Sequence, residues 1–195
     1  MVDSPLILQV LFVIGGLVNA WGIGLYIRDV YRGTNKPNLV GWTIWALLPG
    51  IATIAALSAG IYTWTVLFTG FITLLPTLVV LACLRLGVWQ FDRVDRAMLT
   101  AIICILIAWW YSGSAELTIW FTILVDVCGS FLVIRHAYQQ PEEESIHGYT
   151  SAIPLAVFAL LGAPSVGIAD LGYPLWILVL NVALAALVYW PKLRL

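Results

Sequence analysis

Charged residues are scarce in this sequence. Only 10% of the 195 residues are Asp, Glu, Lys or Arg, whereas 62% are hydrophobic, and the mean hydropathy is +1.00. A soluble domain of this length needs a polar outer face, which such long apolar runs do not supply. The composition therefore predicts an all-α integral membrane protein that lies mostly within the lipid bilayer. The few basic residues form no arm or patch of the kind that binds nucleic acid.

Motifs for metal binding and nucleophilic catalysis are also missing. The cysteines, Cys83, Cys104 and Cys128, lie in apolar runs without CxxC spacing or a nearby histidine, so neither a metal site nor a disulfide is expected. The sequence contains no HExxH or GxSxG motif, and His136 and His147 lie near the ends of predicted spans. The last predicted span also has no lysine near its middle, where a retinal-type photoreceptor would need one to form a Schiff base. We expect no enzyme, no cofactor and no metal.

The apolar runs predict seven membrane-spanning helices, since one span needs roughly 20 residues. The predicted spans are 6–27, 39–59, 61–84, 97–112, 116–138, 149–167 and 171–190. No Lys or Arg precedes the first run, as it would in a signal peptide, so we expect this helix to be retained. With the N-terminus outside, every Lys and Arg falls on the cytoplasmic side, which positive charge favours. The pattern predicts an N-out, C-in topology.

Two stretches of the chain resemble each other at an offset of 107 positions, one starting at Asn19 and the other at Asp126. The matched pairs are Leu17 and Leu124, Val18 and Val125, Gly22 and Gly129, Leu25 and Leu132, Ile27 and Ile134, Arg28 and Arg135, Tyr31 and Tyr138, Gly41 and Gly148, and Thr43 and Thr150. We interpret residues 1–90 and 115–195 as two triple-helix repeats and 91–114 as a linking helix. The linking helix makes the repeats parallel, about an axis along the membrane normal.

Polar side chains lie near the middle of several predicted spans. Asp126 is central in the fifth span, and the sequence has no Lys or Arg at that depth to neutralise it. A carboxylate there costs several kcal/mol unless it is protonated, paired or hydrated. Asn19, Asn181 and Thr73 lie at similar depths. We interpret the four as a candidate substrate-binding site, with Asp126 also coupling protons, because a buried carboxyl group can take up and release a proton. Alternatively, the polar side chains hydrogen-bond one another and only hold the bundle together.

The turns that follow the first helix of each copy carry opposite charges. Lys36 lies in the first turn and Glu143 in the second, so an ion pair could close the inner side. Trp42 and Trp45 are expected on one face of the second span, just inside its cytoplasmic end. We interpret these four residues as a candidate inner gate. Solvated loops and an interfacial belt of tryptophans are the alternatives.

This layout resembles the SWEET and PQ-loop superfamily, in which two triple-helix repeats flank one linking helix, over nearly the whole chain. Lys36 and Gly41 match the basic turn of the first repeat, whereas Glu143 replaces the lysine of the second. Ile27-Arg28 and Ile134-Arg135 stand where the superfamily carries Pro-Gln. The segment KPNLVGWTIWAL also resembles bacterial membrane proteins of this layout.

The resemblance implies a transporter that moves a small polar solute by alternating access. Some relatives couple transport to protons through a membrane-embedded Asp, and Asn181 is similar in placement to a substrate-contacting Asn of SWEETs. A membrane-embedded accessory or scaffold protein without a transported substrate is the alternative. The expected partners are the lipid bilayer and a small polar solute, and the sequence leaves open whether a homo-oligomer forms. The expected location is the bacterial plasma (inner) membrane, as a multi-pass protein.

Overall fold

The computed structural model describes residues 6–191, apart from 59, 61, 63, 89–90, 113–114 and 164–167. Within these residues the fold is entirely helical, which confirms the all-α class. The α-helices are α1 (Leu6–Tyr31), α2 (Leu39–Ser58), α3 (Trp64–Leu86), α4 (Arg93–Ser112), α5 (Ala115–Gln139), α6 (Ile146–Leu161) and α7 (Ile168–Tyr189). One turn of 3-10 helix, Pro141–Glu143, precedes α6.

Three described segments are long and apolar enough to cross a membrane: Leu6–Tyr31, Thr69–Leu86 and Leu171–Tyr189. Large apolar side chains remain exposed along them, such as Trp21 at 73% and Val179 at 56%. Exposed apolar surface of this extent is unfavourable in water but is expected where a helix meets lipid. These features are those of a membrane protein.

Helix α4 begins earlier than its apolar run predicts, at Arg93 rather than 97, because polar residues cap it. Asp92 Oδ1 accepts the N–H groups of Val94 and Asp95 at 2.7 and 2.9 Å. Asp95 Oδ2 in turn accepts the Asp92 N–H at 2.9 Å. This reciprocal pair is a capping box, which satisfies backbone donors that a helix start leaves unpaired.

Helix α6 is shifted toward the N-terminus relative to the predicted span. It begins at Ile146 and ends at Leu161, with Gly162 as its C-cap, whereas the apolar run predicts 149–167. Residues 164–167 lie outside the described part of the chain. Four prolines of the predicted spans lie inside described α-helices: Pro49 in α2, Pro76 in α3, Pro154 in α6 and Pro174 in α7.

The helices pack in a pattern that recurs along the chain. In the first group, α3 contacts both α1 and α2, and in the second group α7 contacts both α5 and α6. The groups meet along two interfaces, where α1 packs on α6 and α2 packs on α5. Helix α4 packs against α5. The first two helices of each group therefore form the boundary between the groups.

Glycines allow close approach at both of these interfaces. A Cβ on Gly22 of α1 would lie 2.1 Å from Ser151 Oγ and 2.7 Å from the His147 carbonyl oxygen, both on α6. A Cβ on Gly129 of α5 would lie 2.7 Å from Ile44 Cγ2 on α2. Gly22 and Gly129 are counterparts at the repeat offset, and so are Ile44 and Ser151. Shifting both residues of one contact by that offset therefore gives the residues of the other contact.

A second pair of contacts has the same relationship. A Cβ on Gly41 of α2 would lie 2.4 Å from Val133 Cγ2 on α5. A Cβ on Gly148 of α6 would lie 2.8 Å from Tyr26 Cδ2 on α1. Gly41 and Gly148 are counterparts at the repeat offset, and Tyr26 and Val133 are counterparts as well. Larger residues at these glycines would push the helices apart.

Candidate functional site

A cavity of about 70 Å³ lies where α1, α2, α3, α6 and α7 meet. Asn19 and Asn181 contribute amide groups to its wall, and Trp42, Trp45 and Tyr149 contribute aromatic rings. None of the described residues that line it is charged. The cavity has room for several water molecules or for part of a small solute. Helices of both groups form its wall, so movement of one group against the other would change its shape.

The two asparagines are buried, and each uses only part of its hydrogen-bonding capacity. Ser151 Oγ donates to Asn19 Oδ1 at 3.2 Å. Asn181 Nδ2 donates to the Ile177 carbonyl oxygen of its own helix at 2.8 Å. Within the described residues, this leaves the Asn19 amide nitrogen and the Asn181 amide oxygen without a partner. A donor and an acceptor on one cavity wall are what a polar solute needs for recognition.

Asp126 is 3% exposed and lies beside the cavity rather than in its described lining. Trp176 Nε1 donates a short hydrogen bond to Asp126 Oδ2. Among the described residues, the buried Oδ1 has no hydrogen-bond partner and no basic side chain pairs with this carboxyl group. Ser130 connects it to the cavity, since it interacts with Asp126 and accepts a hydrogen bond from Trp45 Nε1 at 3.2 Å.

Thr73 also lies outside the described lining. Its hydroxyl donates to the Thr69 carbonyl oxygen at 2.8 Å, and Thr77 donates in the same way to the Thr73 carbonyl oxygen at 2.7 Å. The methyl group of Thr73 faces α2, where a Cβ on Gly50 would lie 3.0 Å away. The hydroxyls therefore bond their own helix, as threonine commonly does in a helix. Helix α3 instead reaches the cavity through Leu75 and its neighbours.

The candidate gate residues lie at two depths. Lys36 Nζ forms an ion pair with Glu143 Oε1, and the Lys36 N–H donates to the Glu143 carbonyl oxygen at 2.8 Å. Trp42 is deeper and 3% exposed, with its ring centroid 5.4 Å from that of Trp45 and 6.4 Å from that of Tyr149. The ion pair thus joins the two turns, and the tryptophans form part of the cavity wall.

Glu144 is a buried acid that the sequence does not distinguish from its neighbours. Its side chain is 0% exposed, and its Oε1 lies 3.7 Å from His136 Nε2. Tyr26 and Tyr149 donate their hydroxyl protons to its Oε2 at 2.9 and 2.8 Å. Three consecutive glutamates are typical of a solvated turn, but this alternative does not hold for Glu144, because α1, α5 and α6 enclose it. Only tertiary packing sets it apart from Glu142.

A polar network holds the start of α4 at the end of the bundle that carries the turns. Asn38 Nδ2 donates to the buried Asp95 Oδ1 at 2.8 Å, while Asn38 Oδ1 caps α2 by accepting the Gly41 N–H at 2.8 Å. Arg135 Nη2 donates to Asp92 Oδ2 at 2.8 Å. The backbone N–H of Asp95 and the Arg135 side chain lower the pKa of the exposed Asp92 carboxyl group.

The structure brings four of the predicted site residues to the cavity: Asn19, Asn181, Trp42 and Trp45. The other four, Asp126, Thr73, Lys36 and Glu143, lie outside its described lining. Comparisons with models of protein families, with curated proteins and with solved structures find no match. The geometry of the cavity and of the groups around it is therefore the basis for assigning a function.

Proposed function

We propose that the protein transports a small, neutral, polar solute across a membrane and is not an enzyme. The observation that carries the proposal is the cavity between the two groups of helices. Among the described residues, Asn19 and Asn181 have an unused donor and an unused acceptor there, and the described lining carries no charge that would select an ionic solute. Buried polar groups without partners cost free energy, which a bound solute can recover by hydrogen-bonding to them.

We further propose that the chain spans the membrane seven times, as two parallel repeats joined by α4. Two contact pairs support this arrangement. Lys36 contacts Glu143, and Trp42 contacts Tyr149. In each pair the partners are counterparts at the repeat offset. A residue that contacts its own counterpart lies close to the axis that relates the two copies. This layout resembles that of the SWEET and PQ-loop superfamily, and the positive charges favour N-out, C-in insertion in a bacterial plasma membrane.

Alternating access follows from this architecture. The α1–α6 and α2–α5 interfaces are the surfaces along which one repeat would move against the other, and the cavity lies between them. On the side of the turns, the Lys36–Glu143 pair closes the path. A rocking motion that separates this pair would expose the cavity on that side, while the opposite motion would expose it on the other.

Asp126 is the proton carrier of the proposed cycle. Its Oδ1 is buried and has no hydrogen-bond partner among the described residues, so this oxygen is available to receive a proton. Asp126→Asn removes the charge while keeping an oxygen for the Trp176 donor. We expect this variant to lose accumulation driven by a pH gradient but to retain exchange of solute. Accumulation that persists in the variant would contradict the coupling role.

The binding site is tested by thermal unfolding of the purified protein with neutral solutes, such as sugars, polyols, amides and nucleosides. A solute at about 100 times its Kd stabilises the folded state by about 2.7 kcal/mol. We expect one class of solute to stabilise the wild type and Thr73→Val, which lies outside the cavity, but not Asn181→Leu. Equal stabilisation of Asn181→Leu would contradict the site. No stabilisation by any class, with a partner protein retained through purification, would favour the scaffold interpretation.

A further inference from the structure

The amide group of Asn181 has a fixed orientation at the cavity wall. Its nitrogen donates to the Ile177 carbonyl oxygen at 2.8 Å. A carbonyl oxygen can only accept a hydrogen bond, so turning the amide over would place two acceptors against each other. The Asn181 oxygen therefore stays directed away from that carbonyl and available to the cavity, which this residue lines. Only an O–H or N–H donor of a solute can satisfy it there.

Asn19 is held differently, because its partner is a hydroxyl group. Ser151 Oγ lies 3.2 Å from Asn19 Oδ1 and 3.1 Å from the Gly148 carbonyl oxygen. A serine has one hydroxyl proton, so it donates to one of these oxygens at a time, while its own oxygen can accept. When Ser151 donates to Asn19, the Asn19 nitrogen is left for the cavity. When Ser151 donates to Gly148, the Asn19 amide can turn over, donate to Ser151 and leave its oxygen for the cavity instead.

The close contact between α1 and α6 brings this pair together. Gly22 follows Asn19 by three positions and therefore lies on the same face of α1. A Cβ on Gly22 would lie 2.1 Å from Ser151 Oγ, so the missing side chain lets α1 come near enough for Asn19 to reach the hydroxyl. Asn19 and Ser151 are both buried, which limits competition from bulk water. Ser151 lies outside the described cavity lining and acts on a solute through Asn19, as a positioning residue.

We propose that Ser151 and Asn19 form an adaptable half of the solute site and Asn181 its fixed half. This inference rests on the proposed transport function and assigns the class of solute. The fixed half requires a donor, and the adaptable half accepts either a donor or an acceptor. The cavity of about 70 Å³ is roughly twice the volume of one water molecule in the liquid. The site therefore takes compact, neutral solutes with an N–H or O–H group, such as amides and ureas, and rejects those that carry acceptors alone.

Three planar molecules of similar size test the assigned class: acetone, acetamide and urea. Acetone has an acceptor alone, acetamide adds N–H donors on one side of its carbonyl group, and urea carries them on both sides. Thermal unfolding measures their binding by mass action, and Asn181→Leu, which lacks the required acceptor, gives the baseline for their other effects. We expect acetamide and urea, but not acetone, to stabilise the wild type above this baseline. Stabilisation by acetone, or by none of the three, would overturn the assigned class.

Ser151→Ala tests the adaptable half with the same solutes. Without the hydroxyl, the Asn19 nitrogen can donate to the Gly148 carbonyl oxygen, and the Asn19 oxygen then faces the cavity, so both halves require donors. Urea should bind as in the wild type, whereas acetamide should bind at least about tenfold more weakly, because its carbonyl oxygen meets a second acceptor. The control Thr150→Ala, which removes an exposed hydroxyl at the next position, should change neither. Equal changes for both solutes, or a larger loss for urea, would overturn the role of Ser151.

A measurement without any solute follows the Asn19 amide itself. Solid-state NMR in liposomes uses protein with ¹⁵N in the asparagine side chains and ¹³C in the glycine carbonyl groups, and Asn19→Leu identifies the Asn19 signal. We expect the dipolar coupling between the Asn19 side-chain nitrogen and the Gly148 carbonyl carbon to be stronger in Ser151→Ala than in the wild type. An unchanged coupling would mean that the amide does not turn over and would overturn the proposal.

The outcomes separate this inference from the transport proposal. If another class of neutral solute binds at Asn181 while acetamide and urea do not, transport stands and the assigned class fails. If acetamide and urea bind in the expected order, but neither enters proteoliposomes faster than protein-free liposomes, the site stands and transport of this class fails.

Discussion

Lys36 and Glu143 form an ion pair and a backbone hydrogen bond although they are 107 positions apart in the sequence. The same offset relates the two similar stretches of the chain, so each residue contacts its own counterpart. In the proposed two-repeat arrangement, such a contact lies near the axis that relates the copies. The pair joins the turns of the two groups of helices, which is where we propose that the gate lies.

The ion pair of the proposed gate predicts a charge-swap result. Lys36→Glu or Glu143→Lys alone places like charges in contact, whereas the double swap restores an attractive pair. The side chains are 44% and 23% exposed, so we expect a coupling energy of only about 0.2–1 kcal/mol, reduced by added salt. A double-mutant cycle on thermal unfolding measures it. A double variant that loses the full sum of the two single losses would show that the pair contributes no coupling.

The interface glycines predict opposite effects for two neighbouring substitutions on α1. Gly22→Ala places a methyl group against Ser151 and the α6 backbone, and overpacking of this kind costs about 1–3 kcal/mol. A Cβ on Gly24 meets nothing within 4 Å, so Gly24→Ala should raise stability by about 1 kcal/mol through helix propensity. Thermal unfolding in detergent compares the two. Equal effects of both substitutions would contradict the close α1–α6 contact.

The contact between Trp176 and Asp126 predicts that replacing the tryptophan lowers stability by an amount that depends on the Asp126 carboxyl group. Trp176→Phe removes one hydrogen-bond donor to the carboxyl group, which also interacts with Ser130, and a buried acceptor that loses its donor costs about 1–3 kcal/mol. In an Asp126→Leu background, the same replacement should cost clearly less, because no carboxyl group is left to satisfy. Unfolding of the four proteins gives the coupling. The same cost in both backgrounds would mean that the tryptophan acts through packing alone.

The exposed network at the start of α4 predicts a change of stability with acid. The pKa of Asp92 is lowered in the folded protein, so its contribution is present above its unfolded pKa of about 4 and is lost as the pH falls through the folded value. Asp92→Asn keeps a good N-cap but removes the charge. We expect the melting temperature of the wild type to fall more steeply below about pH 4 than that of Asp92→Asn. The melting temperature of Glu142→Gln, which lacks an exposed carboxyl group, should fall as steeply as that of the wild type.

Some of these features could be predicted from the sequence, because they depend on local patterns. The lengths of the apolar runs predict where the helices lie, and the capping residues explain why α4 begins before its apolar run. The pairing of Gly22 with Gly129 was visible as a sequence match, although only the structure shows that both are close contacts. Asn19 and Asn181 could be proposed together because polar residues at mid-span are costly.

The sequence could not predict which polar groups share a cavity, since this depends on helix rotation and packing. Thr73 lies close in depth to Asn181, but its hydroxyl bonds its own helix and its methyl group faces α2. Asp126 lies outside the described cavity lining, next to Ser130 and Trp176. Glu144 follows two other glutamates in a turn, and only the packing of α1, α5 and α6 around it makes it a buried acid.

The most direct test of alternating access is the accessibility of the cavity from each side of the membrane. Ala152 lines the cavity on α6, whereas Ala156, one turn further along, is 0% exposed and lies outside the described lining. Ala152→Cys and Ala156→Cys are made in a background without the native cysteines. Each is treated with a membrane-impermeant thiol reagent in right-side-out and inverted vesicles. We predict that Ala152→Cys is labelled from both sides and Ala156→Cys from neither. Labelling of Ala152→Cys from one side only, or from neither, would contradict alternating access.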